Sequence, residues 1–171
     1  MGIHENDIVC PSRFQRVEAG VTGSSDFDGD GFGYRGAATA LRDFGAVDLV
    51  ASLAVESRGS FYDAEGRRIG IDGTQGDIQD SQSLNLFVKT GWDIDADTRL
   101  QFTANLFELE GNGDYVQVTG NRAADLPTSS VRGEQEGQPP TNTVNTFSVD
   151  LTRKNLFGGT FTAQGFYREF E

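Results

Sequence analysis

The chain has 171 residues, a formal charge of −12 and a single cysteine. So acidic a composition excludes the basic stripe that nucleic-acid binding needs, and one thiol cannot close an internal disulfide. No stretch approaches the ~18 consecutive apolar residues of a transmembrane helix, which leaves transmembrane strands open.

Residues 1–13, MGIHENDIVCPSR, show no clear period and stay unassigned. They lack the basic region and apolar run of a signal peptide. The expectation is therefore either a cytoplasmic chain or a piece of a longer one. From Phe14 onward the pattern alternates with period 2, the signature of strands with one apolar and one polar face. Phe14 to Val21 is the first expected strand. Phe32 to Leu41 is the second, rich in small residues, and Val47 to Ser57 the third.

The clearest signal is Ser81 to Gly111, read as two long strands joined by an acidic turn over Asp93 to Asp97. Leu84, Leu86, Val88, Thr90, Trp92 and Ile94 share one face, with Ser83, Asn85, Phe87, Lys89, Gly91 and Asp93 opposite. Leu100, Phe102, Ala104 and Leu106 continue the apolar side. Gly111 to Thr143 carries too much Gly, Pro and polar residue for a core element and reads as a long loop. Thr143 to Thr152 and Thr160 to Phe170 complete about seven strands.

The connections alternate long and short, so antiparallel strands place every short turn at one end. Each short turn carries an aromatic: Phe44, Trp92 and Phe157. Aromatic rings along one rim suit a membrane interface better than a soluble sandwich. About ten residues at ~3.3 Å each, tilted ~45°, span the ~25 Å lipid-facing band of a barrel. The fold expectation is all-β: a segment of an antiparallel transmembrane β-barrel with long loops on one side.

Asp26, Asp28, Asp30 and Gly31 match the opening of a calcium loop, in which closely spaced carboxylates converge on a hard cation. The bidentate Glu expected six residues after the Gly is Ala37 here, so a solvated acidic loop is the competing reading. A soluble secreted β-protein that binds calcium through Asp26 to Gly31 is thus the alternative to the barrel. Catalysis finds little to work with, since His4 is the sole histidine and Cys10 the sole thiol. No phosphate loop precedes a helix. The chain reads as a non-enzyme with no cofactor.

The runs GYRGAA, VDLVASLAVESRGSFYDAEG and SLNLFVKTGWDIDADTRLQFTANLFELEGNGDY, followed by TNTVNTFSVDLTRKNLFGGTFTAQGFYREF, resemble the barrel of TonB-dependent outer-membrane receptors. Their flavour is that of the ferric-siderophore branch. The resemblance implies a partial receptor barrel over residues 14–171, in the outer membrane and in contact with its lipid. It implies a ferric siderophore or similar chelate as ligand, and coupling to TonB through a plug domain that these residues do not supply. Loops on the long side would help hold the ligand, which makes Arg67, Arg68, Tyr115, Arg122 and Arg132 candidates. Arginine with aromatics suits anionic or catechol chelates, although each residue could equally balance the acids around it. The three long loops carry net charges of −3, −2 and −2, which weighs against an anionic ligand. A diffusion porin differs from this reading only in lacking a plug.

Overall fold

A computed structural model describes residues 13–22, 29–70 and 79–171. Strands β1 (Arg13–Thr22), β2 (Gly33–Asp43), β3 (Val47–Arg58), β4 (Ser81–Asp95) and β5 (Thr98–Gly111) come first. Short strands β6 (Tyr115–Val118) and β7 (Ser129–Arg132) follow, then β8 (Thr141–Leu156) and β9 (Gly159–Phe170). Seven of them form one antiparallel sheet in the order β1-β2-β3-β4-β5-β8-β9, while β6 and β7 pair with each other. The meander and the alternation of long and short connections are as the sequence predicts. Among the described residues the sheet is open, with a neighbour on one side only for β1 and for β9.

The register carries the alternation across the whole sheet. Trp92 stands beside Val47 and Leu100, and Leu86 beside Leu53 and Leu106. The rows run on through Leu151 and Val149 of β8 into Ala163 and Gly165 of β9. Phe147 and Tyr167 stack within this face, ring centroids 6.5 Å apart. The opposite face is bonded through polar groups, such as Thr39 to Ser52 at 2.9 Å and Asn85 to Asn105 at 3.4 Å. A one-residue slip would exchange the two faces, so the pattern fixes the register.

Among the described residues no second layer covers the apolar face. The principal contacts between elements all run between sheet neighbours or within the β6–β7 pair. Leu53, Leu84, Trp92, Phe102, Val149 and Tyr167 are accordingly exposed on it. Among the described residues only two apolar side chains, Leu109 and Tyr115, are buried.

Two expectations need correction. The stretch from Gly111 to Thr143 is not a structureless loop. It holds the β6–β7 hairpin, a 3-10 turn over Arg122–Ala124, and in Tyr115 the most buried apolar residue described. Four-residue strands are too short to show a period, but the β-branched YVQV between GNGD and TGN was a usable signal. The turn read over Arg153 to Gly159 is also shorter, since β8 continues to Leu156 through a register shift. Asn155, Phe157 and Gly158 take positive φ there (56°, 51° and 81°), which reverses the chain in little space.

Ionic pairs lace the short-turn end. Arg99 donates to Asp93 at 2.9 Å and also reaches Asp48, two strands away. It crosses over Gly91, the residue paired with Asp48, where a Cβ would collide with both side chains. Arg153 donates to Asp95 at 2.9 Å, and the Asn155 amide to Asp97 at 2.7 Å. These contacts tie β3, β4, β5 and β8 together beneath the exposed aromatics.

Candidate functional site: the long-loop cap and the short-turn rim

The long connections meet at one end of the sheet. The loop after β3 folds back on itself through a bridge between Tyr62 and Arg68. Asp63 shapes its turn, accepting from the backbone N–H groups of Glu65 at 3.0 Å and Arg67 at 2.8 Å. The same loop then docks on the β6–β7 hairpin. Ile69 bridges to Ser129, and the Ser130 hydroxyl donates to the Ile69 carbonyl at 3.0 Å. Gly59 lies so close to the backbone of residues 30–32 that any Cβ would clash, which lets this loop touch the segment before β2. Ser60 N–H donates to the Asp30 carbonyl at that point.

Arg68 sits where these segments join. Its guanidinium donates to the Asp30 carboxylate at 2.6 Å and to the Tyr62 hydroxyl at 3.1 Å. It also lies 4.0 Å from the centre of the Tyr115 ring, a cation–π distance, with Tyr62 at 5.5 Å. Burial, with the hydrogen bond to Asp30 second, pushes the Tyr115 hydroxyl up to about 12. Tyr115 is therefore a neutral donor at any physiological pH, facing a paired cation and carboxylate.

The five loop candidates thus fall into two groups. Arg68 and Tyr115 come together inside the cap, and Arg132 on β7 is Tyr115's partner in the register. Arg67 and Arg122 instead line a separate open cleft of about 490 Å³ with Gly120, Asp125 and Leu126 to Thr128. Arg67 is already bonded to Asp63 at 2.8 Å and to Glu65 at 3.1 Å. Its own backbone N–H, foremost, keeps the Asp63 carboxyl below the usual range. Arg122 opens the 3-10 turn, which Asn121 caps by accepting from Ala123 N–H at 3.0 Å. The cleft therefore presents one committed cation, Arg67, and one exposed cation, Arg122, with the Asp125 carboxylate beside them.

Of the calcium candidates, Asp26 and Asp28 lie outside the described residues. Asp30 directs its carboxylate to Arg68. Among the described residues no three His, Cys, Asp or Glu side chains gather where they could hold a metal. Sequence reasoning missed Asp30 as the arginine's partner, together with Tyr62 and Ser60. Only the loop fold brings 30, 60, 68 and 115 together, and no spacing encodes that.

The three rim aromatics share the opposite end. Phe44 closes the β2–β3 turn, its N–H donating to the Val47 carbonyl at 2.8 Å, and the Arg42 guanidinium lies 5.3 Å from its ring centre. Trp92 is half exposed beside Val47 and Leu100. Phe157 is fully exposed and held at positive φ, a doubly unfavourable placing for a bulky residue in water. Phe161, near the same rim on the apolar face, was not among the expected anchors and is exposed as well.

No protein-family profile matches the chain, and no solved structure matches it. Among curated proteins it is similar to the rhizobactin receptor of Rhizobium meliloti (strain 1021), 29% identical over 155 residues. The match takes in 88% of this chain, which spans about a fifth (20%) of the length of that relative.

Proposed function

We propose that the chain is a stretch of the barrel wall of an outer-membrane, TonB-dependent receptor that imports ferric siderophores. One observation carries this reading: a single apolar face runs in register over seven strands, uncovered by any other described residue, and ends in a row of exposed aromatics. Water is a poor solvent for such a face at ~25 cal/mol per Å², and a lipid bilayer is a good one. The main strands, 10 to 16 residues long, meet or exceed the ~9–11 residues needed for a tilted crossing. The likeness to a rhizobactin receptor supports a siderophore as the class of ligand.

In this reading the apolar face meets lipid and the polar face a wet interior. Phe44, Trp92 and Phe157 anchor the periplasmic rim. The cleft of Arg67 and Arg122 meets the ligand outside, and energy arrives from TonB through a plug domain. The open edges of β1 and β9 pair with further barrel strands, because unpaired backbone groups in lipid cost several kcal/mol each. The role is that of a receptor, with no catalytic step assigned to any residue.

Trp92 is the sole tryptophan, so its emission reports the rim alone. The chain is reconstituted with phospholipids brominated either near the headgroup or near the chain end. Quenching is expected to be stronger with the shallow bromines. Recovery of the chain in the aqueous phase, unquenched at every depth, would overturn the reading.

A further inference from the structure

Arg68 gathers at one point three parts of the chain that backbone contacts such as Ser60–Asp30 and Ile69–Ser129 already bring side by side. Its partners come from the segment before β2 (Asp30), its own loop (Tyr62) and the β6–β7 hairpin (Tyr115). The buried residues described cluster in the same region: Ser60, Gln79 and Ser81, with Ser130 and Tyr115 on the hairpin. Gln79 pins its own loop further, accepting from Phe61 N–H at 2.8 Å. Asp80 does the same toward the next connection, with Asn112 donating to it at 2.8 Å. The cap is thus a small core of its own, centred on one cation.

That core is incompletely satisfied. Among the described residues, two buried side-chain polar atoms find no hydrogen-bond partner, the Ser60 hydroxyl and Arg68 Nε. Both belong to this cluster, because Ser60 N–H bonds to the Asp30 carbonyl while Arg68 bonds to the Asp30 carboxylate. A buried polar group without a partner disfavours the closed state, and opening the cap would return both groups to water.

We propose that Asp30, Arg68 and Tyr115 form a latch that closes the described parts of the long connections, residues 29–32, 59–70 and 112–140, into one cap, and that Ser60 Oγ and Arg68 Nε hold this latch close to its opening point. These segments therefore open as a unit, not one by one. Whatever displaces Arg68 from Asp30 or Tyr115 is felt on all three. The device stands on the cap's own contacts, and it holds whether the sheet below meets lipid or not.

Amide hydrogen exchange on the chain in detergent micelles tests it. In Arg68→Ala, exchange is expected to quicken on the order of tenfold in residues 61–69 and in 115–132 together, while β4 and β5 keep their protection. Arg68→Lys, which retains a charge for Asp30 but no planar group for Tyr115, should open both segments to a smaller extent. Ser60→Ala keeps its backbone bond and removes one unsatisfied hydroxyl, so both segments should exchange more slowly than in the parent. Arg122→Ala, on the same connection but outside the latch, should leave both unchanged. Quickening confined to the substituted loop in Arg68→Ala and Arg68→Lys would overturn the latch. Unchanged or faster exchange in Ser60→Ala would overturn the poised opening.

Discussion

The sheet and the cap above it bury their apolar groups in opposite ways. Seven long, regular strands present a continuous apolar face on which no other described residue packs, while the irregular connections hold Tyr115 and a set of buried polar side chains. In soluble domains the regular elements enclose the core and the loops run over the surface. Here the loops supply their own packing, and the apolar face of the strands finds none above it among the described residues. The cap should then respond to changes in its own side chains, and the sheet to changes in its surroundings.

The sharpest way to break this contrast is a charge on the apolar face. Phe102→Arg, near mid-height, is expected to cost ~2–4 kcal/mol of folding into vesicles, read as a shift of the urea midpoint. Its neighbour Thr103→Arg, on the other face, should stay within ~0.5 kcal/mol. Equal effects would remove the distinction between the faces. Next in size, Tyr115→Ala should cost the cap ~3 kcal/mol through the cavity and the lost ring contact. Limited proteolysis should then nick residues 111–141 while the strands persist.

One alkaline titration belongs to the cap. Tyr115 ionises at about 12 in the folded chain against 10.0 unperturbed, so the folded state holds this proton more tightly. Its contribution is complete below pH ~10 and is lost as pH rises from there through ~12. Absorbance at 295 nm should show a tyrosine step at about 12, and Tyr115→Phe should abolish that step. The smallest effect is expected at the rim. Phe157→Gly relieves a positive-φ aromatic worth ~1 kcal/mol of strain, so it should stabilise the chain in mild detergent and weaken its retention on vesicles. One sign in both media would deny Phe157 an interfacial role.

The sheet was largely legible in the sequence because period-2 alternation is local. Leu84 to Ile94 against Leu100 to Leu106 fixes faces, register and turn without distant information, and the structure pairs Leu86 with Leu106 accordingly. The cap was legible only in its ingredients. Arg67, Arg68, Tyr115, Arg122 and Arg132 stood out as cations and an aromatic on long loops, but nothing in their spacing separates the Arg68–Tyr115 pair from the Arg67–Arg122 cleft. That division depends on Gly59 letting two backbones touch and on Ile69 bridging to Ser129, contacts across dozens of residues. The β8–β9 turn was misplaced for a related reason. Sequence rules reserve positive φ for glycine and asparagine, and here Phe157 adopts it too.

The point where the β6–β7 excursion leaves and rejoins the sheet has a consequence for how such a chain can diversify. Gly111 and Thr141 stand at the facing ends of β5 and β8, and Gly111 N–H donates to the Pro140 carbonyl at 2.9 Å. The excursion therefore closes on itself at its base, and its other ties run chiefly to the neighbouring loop. Loop closure adds only ~0.6 kcal/mol for each doubling of length. Evolution can thus lengthen, shorten or exchange residues 112–139 with little penalty to the sheet beneath, and the excursion can change at a rate the sheet does not share.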